Sequence, residues 1–261
     1  MNSGGFSMET RNPLLDDFIR GLTRKPRPKV CFVPTASGDG DNYIARFYRS
    51  FDASRCSRSH LPLFHGGLPE LAKFLCKQDV IYGSGGNTAN MLAVWRVHAM
   101  DKALSVAWRK GVVLCGVSAG GMCWFEAGIT DSFGSRVAPL RNRLGFLKGA
   151  FYPHYNGEPE RRPALHRALR HAFPPALAVD DGVGCISSAT DLGRRFLRVR
   201  KRMLTAFVGP TGKRSRIRYR RNILAPNDSG GAARKLLARL SQLRLNEPPP
   251  SDILCSVLRK D

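Results

Sequence analysis

Acidic side chains are in short supply. Asp and Glu total 20 against 42 Lys and Arg, which leaves a formal net charge of +22. A surplus of that kind points to an acidic partner: nucleic acid, an anionic membrane surface or an acidic substrate. Its distribution narrows the inference, because twelve basic residues and no acidic one lie between Arg194 and Arg221. The first 190 residues are only mildly basic. Also missing is any C-x-x-C pair among Cys31, Cys56, Cys76, Cys115, Cys123, Cys185 and Cys255, so neither a zinc site nor a redox pair is indicated. Their odd number, with three of them inside apolar runs, fits buried free thiols in a reducing compartment. No apolar run reaches the length of a membrane span. Met1 to Thr10 has no charged segment followed by an apolar one, as a secretory signal would. No internal repeat is visible. A cytoplasmic protein with no membrane partner is expected.

What is present suffices for a core, since 43% of the 261 residues are apolar. Lys29–Pro34 is a short β-prone run, followed by the turn-rich Thr35-Ala36-Ser37-Gly38-Asp39-Gly40. Asp41 to Phe51 reads as a helix, Ser59–Phe64 as a second strand and Pro69 to Cys76 as a helix. Asp79–Tyr82 is another strand, ending in Gly83-Ser84-Gly85-Gly86, with a helix over Asn87 to Val97 and another over 101–110. Gly111–Val117 is strongly β-prone, breaks at Ser118-Ala119-Gly120-Gly121 and runs on into an apolar segment. Strand, glycine turn and helix recur, which predicts an α/β fold with a doubly wound, mostly parallel sheet. Ligands on such sheets bind at the carboxyl ends of the strands, where both glycine turns sit.

The texture changes after about Asp191. The expected organisation is a catalytic α/β domain over 1–190, a basic β-rich continuation over 191–226, and a linker with a C-terminal helical tail over 227–261. Gly209-Pro210-Thr211-Gly212 has the composition of a hairpin turn, and Ala232–Leu245 has helical periodicity.

Gly116-Val117-Ser118-Ala119-Gly120 is a G-x-S-x-G pentapeptide directly after a strand. A serine on so tight a turn is held clear of the sheet, the glycines remove side chains that would clash, and the following N–H can stabilise an oxyanion. Serine needs a base. His154, in the turn-rich Tyr152-Pro153-His154-Tyr155-Asn156-Gly157, sits where catalytic groups gather, whereas His166 and His171 lie on an Arg-rich helical segment. Two acids compete to orient the base. Asp131 gives the chain order Ser, Asp, His, and Asp181 gives Ser, His, Asp; spacing does not decide between them. Gly85-Gly86-Asn87-Thr88 offers backbone N–H groups at a helix start, although capping by Asn87 or Thr88 explains it equally simply.

Several of these segments, in this order, resemble the S51 serine peptidases, which include aspartyl dipeptidase (peptidase E) and cyanophycinase. The resemblance spans roughly residues 3–183. It rests on Gly4-Gly5-Phe6, Pro34-Thr35-Ala36-Ser37, Ile81–Thr88, Gly116–Gly121, Thr130-Asp131-Ser132, His154–Arg162 and Asp180-Asp181-Gly182. It implies a class I glutamine amidotransferase-like, flavodoxin-like three-layer sandwich. It also implies peptide hydrolysis by a Ser-His-acid triad with no metal or other cofactor. Residue by residue, Ser118 matches the nucleophile, His154 the base, and Asp181 of the pair Asp180-Asp181 the acid. Gly86 and Ala119 match the oxyanion donors, Asn87 and Thr88 fall in the substrate-binding turn, and Asp131 shapes the site. Gly83-Ser84 departs from the family's glycine turn. Neither Arg161 nor Arg162 matches the arginine with which aspartyl dipeptidases hold substrate, so a preference for Asp-Xaa peptides remains an analogy.

The leading expectation is therefore a small-peptide serine hydrolase. An esterase using Ser118, Asp131 and His154 is the second. An inactive scaffold that holds nucleic acid through segment 194–221 ranks below both. The sequence does not give the oligomeric state.

Overall fold

The computed structural model describes Phe6 and residues 14–181 apart from 135, 156, 158 and 172. Beyond these it describes the strand segments 183–188, 195–198, 204–208, 213–215, 222–223 and 252–257. Seven helices occur among the described residues: α1 (Leu14–Gly21), α2 (Asp41–Ser50), α3 (Leu71–Leu75), α4 (Thr88–Val97), α5 (Met100–Arg109), α6 (Ala119–Met122) and α7 (Arg161–Arg170). The strands up to residue 188 are β1 (Lys29–Val33), β2 (Ser57–His60), β3 (Val80–Gly83), β4 (Val113–Val117), β5 (Phe125–Thr130), β6 (Ala138–Leu140), β7 (Leu147–Tyr152), β8 (Ala176–Val179) and β9 (Val183–Ser188). After them come β10 (Arg195–Arg198), β11 (Leu204–Val208), β12 (Lys213–Ser215), β13 (Asn222–Ile223) and β14 (Asp252–Val257).

The strands form two sheets. One runs β13-β10-β9-β14-β4-β3-β1-β2 and the other β12-β11-β8-β7-β5-β6. The first holds a parallel block in which β1 lies between β2 and β3, and β3 pairs with β4. This 2-1-3-4 order is the flavodoxin-like winding, and its crevice opens at the carboxyl ends of the strands. Val30, Phe32, Val80, Tyr82, Val113, Cys115 and Val117 face the layer that includes Phe18, Ile19 and Phe47 of α1 and α2. The alternate residues Cys31, Val33, Ile81 and Leu114 face Trp95 of α4 and Leu104 of α5. Period-2 alternation with apolar residues on both faces is what a parallel sheet covered by helices on both sides requires.

The first layer is aromatic. Phe6 packs edge-on against Phe32 at 5.3 Å and Tyr82 at 5.2 Å, and Phe32 stacks on Phe47 at 5.0 Å. In the second sheet, Phe125 and Phe151 stack at 5.1 Å and join the same cluster as α4 and α5. The opposite face packs on Ala164, Leu165 and Leu169 of α7.

The sequence expectations shift in places. The strand expected over Ser59–Phe64 is Ser57–His60, because the Asp39 carboxylate takes the Leu63 and Phe64 N–H groups at 2.6 and 2.8 Å. The segment after Ser118 is one helical turn, Ala119–Met122, before β5 begins. Helix α1 and strands β5 and β6 match no element expected from the sequence. Strands β11 and β12 pair antiparallel, and the turn expected at 209–212 lies outside the described residues. The strands after residue 190 extend both sheets, with β14 between β4 and β9. The expected helix over 232–245 lies outside the described residues, as do Arg200, Arg202, Arg216, Arg218 and Arg220 of the basic segment. No helix among the described residues is long and apolar enough to cross a membrane.

Burial acts on the thiols. It pushes Cys31 up to about 12, and Cys115 and Cys123 well above the usual thiol range. At pH 8 the Cys31 thiolate fraction is then on the order of 10⁻⁴. Native protein treated with a thiol-specific disulfide reagent at that pH is expected to keep these three cysteines unmodified. Peptide mapping that finds any of them labelled before unfolding would contradict this.

Candidate active site

The backbone around Ser118 is interlocked by glycines. A Cβ on Gly116 would come within 2.3 Å of the Gly120 carbonyl oxygen, and one on Gly120 within 2.2 Å of the Gly83 oxygen. These approaches let β4 turn straight into α6 against the end of β3. Ser118 itself holds φ 51 and ψ −111, a conformation that costs a non-glycine residue of order 1–3 kcal/mol. The departing residue Ser84 is fully buried. Its N–H donates to Val33 O at 3.0 Å and its carbonyl accepts from Gly120 N–H at 2.9 Å, so it ties the two glycine turns together.

His154 follows β7, also at positive φ (58), and is 2% exposed. Its Nδ1 lies 2.6 Å from Asp181 Oδ1, and its Nε2 lies 3.0 Å from Ser118 Oγ. A carboxylate only accepts hydrogen bonds, so Nδ1 carries the proton and Nε2 accepts from the serine hydroxyl. Asp181 follows β8 and is fully buried. The loop between them is fixed by Tyr155 N–H on Val179 O at 3.1 Å and Gly157 N–H on His154 O at 3.1 Å. A side chain at Gly157 would come within 2.5 Å of Asp181 Oδ2. In the sequence Gly157 stands out only as the glycine of the Asn156-Gly157 pair in the loop after the histidine.

The other candidates take different places. Asp131 is 57% exposed on its side chain and pairs with Arg161 Nη2 at 3.6 Å. Asn87 caps α4, its Oδ1 accepting from Asn90 N–H at 2.9 Å, while its Nδ2 donates to Ser132 O at 3.0 Å. Ser132 Oγ in turn accepts from Ala89 N–H at 3.2 Å and bonds Thr130 Oγ1 at 2.7 Å. Thr88 is buried. Asn87 thus braces the turn, and Ser132 braces it from the facing loop. Gly86 is exposed, and neither its N–H nor that of Ala119 has an acceptor among the described residues. Both groups are available at the carboxyl ends of β3 and β4. No group of three His, Cys, Asp or Glu suited to a metal ion occurs among the described residues.

Gly86 has φ 138, and a Cβ there would sit 2.0 Å from Ala36 O. Gly86→Ala combines backbone strain of about 1–3 kcal/mol with overpacking of about 1–3 kcal/mol. Chemical denaturation should show a destabilisation of that combined size. An unchanged midpoint would mean the turn is looser than its contacts indicate.

The chain has clear relatives. The profile of peptidase family S51 matches residues 1–188. An uncharacterized peptidase, YgaJ, of Bacillus subtilis (strain 168) is 48% identical over 183 residues, covering 70% of this chain and 79% of that one. Among solved structures, a chain classed as a peptidase E protein from Listeria monocytogenes EGD-e superposes with a TM-score of 0.52 at 18% identity. That match covers 78% of this chain and 95% of the other. A peptidase from an acI-B1 Actinobacterium gives 0.58 at 16% identity, covering 78% and 94%. The two structures share the fold.

Proposed function

This chain belongs to peptidase family S51, and on that premise we propose that it is a serine-type peptidase that hydrolyses short peptides through an acyl-enzyme. The observation that carries the reading is the continuous hydrogen-bonded relay from Asp181 through His154 to Ser118, at 2.6 and 3.0 Å.

His154 Nε2 takes the Ser118 proton as Oγ attacks the scissile carbonyl carbon. The imidazolium that forms is stabilised by the Asp181 carboxylate, which stays ionised. The Gly86 and Ala119 N–H groups receive the oxyanion, each contributing about 3 kcal/mol to barrier lowering. His154 then returns the proton to the departing amine. Water, deprotonated by the same imidazole, releases the acyl group. Asp131 is spoken for by Arg161, which favours Asp181 over it as the orienting acid.

The finer reading is a dipeptidase with a preference for N-terminal Asp. What supports it is the resemblance to aspartyl dipeptidases.

The test is amine release from a set of dipeptides, Asp-Leu, Glu-Leu, Ala-Leu and Lys-Leu, with their N-acetylated counterparts. Hydrolysis of free dipeptides, Asp-Leu fastest, is expected. Folded protein that cleaves none of them would sink the peptidase reading. Cleavage without preference for Asp would sink only the specificity.

A further inference from the structure

Away from Ser118, a cavity of about 370 Å³ opens between the end of α4, the outer face of α5 and the loop before β7. Arg96, Lys102, Arg109 and Arg143 line it, with Asp101 and Ser105. Arg96 stands eight residues beyond Thr88, about 12 Å along the helix, so the cavity is separate from the serine site. From it the geometry points to a second binding site, for a small phosphate monoester that also carries hydroxyl groups.

Three observations converge. Arg143 is built in rather than left at the surface: it is 7% exposed, and a Cβ on Gly128 would lie 2.4 Å from its Nη1. Glycine at 128 therefore leaves room for a guanidinium at the cavity wall. The loop that carries it is pinned to α4 by Arg96 Nη2, which donates to Asn142 O, and Asn142 holds φ 56. Next, Arg96, Lys102 and Arg109 have no carboxylate within ion-pair distance among the described residues. Guanidinium groups present fixed forks of N–H donors matched to phosphate oxygens. Finally, Asp101 Oδ1 is buried with no hydrogen-bond partner among the described residues, and an acceptor left so is costly. It repels a bare anion but accepts from a ligand hydroxyl. The volume falls in the range of small-molecule sites.

Glycerol 3-phosphate is the probe, titrated calorimetrically at constant ionic strength beside inorganic phosphate, glycerol and succinate. Wild type is expected to bind it at least tenfold more tightly than inorganic phosphate. Lys102→Ala/Arg109→Ala, two exposed positions, should weaken that binding at least tenfold. The exposed pair Arg49→Ala/Lys77→Ala should leave it unchanged, which separates the cavity from the chain's general positive charge. No binding by wild type, or equal loss in both double variants, overturns the site. Succinate bound as tightly overturns its selectivity for phosphate. Inorganic phosphate bound as tightly overturns the role given to Asp101.

Discussion

Ser118→Ala is expected to fold as the wild type does and to lose about 10⁵–10⁶-fold in kcat. The size follows from what the hydroxyl alone supplies. Without Oγ there is no acyl-enzyme, and His154 loses the side-chain nucleophile that its Nε2 meets. What survives is substrate binding and the oxyanion donors, which act on an attack by water. The fold should be spared because the Ser118 side chain makes no cap bond to α6, and alanine at φ 51 is no worse off than serine. Steady-state hydrolysis of the best dipeptide, with circular dichroism to check folding, reads the result. A folded variant within tenfold of wild type would remove Ser118 from the chemistry.

The second large effect separates the two acids. Asp181→Asn should lower kcat about 10⁴-fold, the usual consequence of orienting the imidazole wrongly. The carboxamide can turn its NH₂ towards Nδ1, forcing the ring proton onto Nε2, the atom that must accept from Ser118. Burial leaves no solvent to rescue the site, since Asp181 and His154 are 0% and 2% exposed on their side chains. Asp131→Asn should change kcat by less than about tenfold, because Asp131 pairs with Arg161 while the acid that His154 Nδ1 meets is Asp181. Measured side by side, the two variants rank the acids. If Asp131→Asn is the more damaging, the relay drawn here is not the one the chemistry uses.

The parts of this molecule legible in the sequence are those governed by local rules. β1, β3 and β4 were readable because each is a short apolar run closed by a glycine turn. The Ser118 turn was readable because Gly116 meets Gly120 only four residues on, although Gly120 is also set by Gly83 of the neighbouring strand. The end of β2 was not, since Asp39, far along the chain, takes the donors of Leu63 and Phe64. The choice between Asp131 and Asp181 was also out of reach of spacing. It depends on β7 lying parallel to β8, with Ala150 opposite Ala176, so that the loops after both strands emerge together. That pairing spans the whole of α7. Asn87 was ambiguous for another reason: its side chain serves both a helix cap and Ser132, and a sequence shows neither partner.

The two residues joined by the central hydrogen bond, Ser118 and His154, both stand at positive φ without being glycine. In a marginally stable chain each such conformation is a liability that only turnover rewards. A population of this gene selected for heat tolerance alone, with no demand for hydrolysis, would therefore be free to drift at positions 118 and 154. Glycine and asparagine would enter there, and the protein would become sturdier as it fell silent.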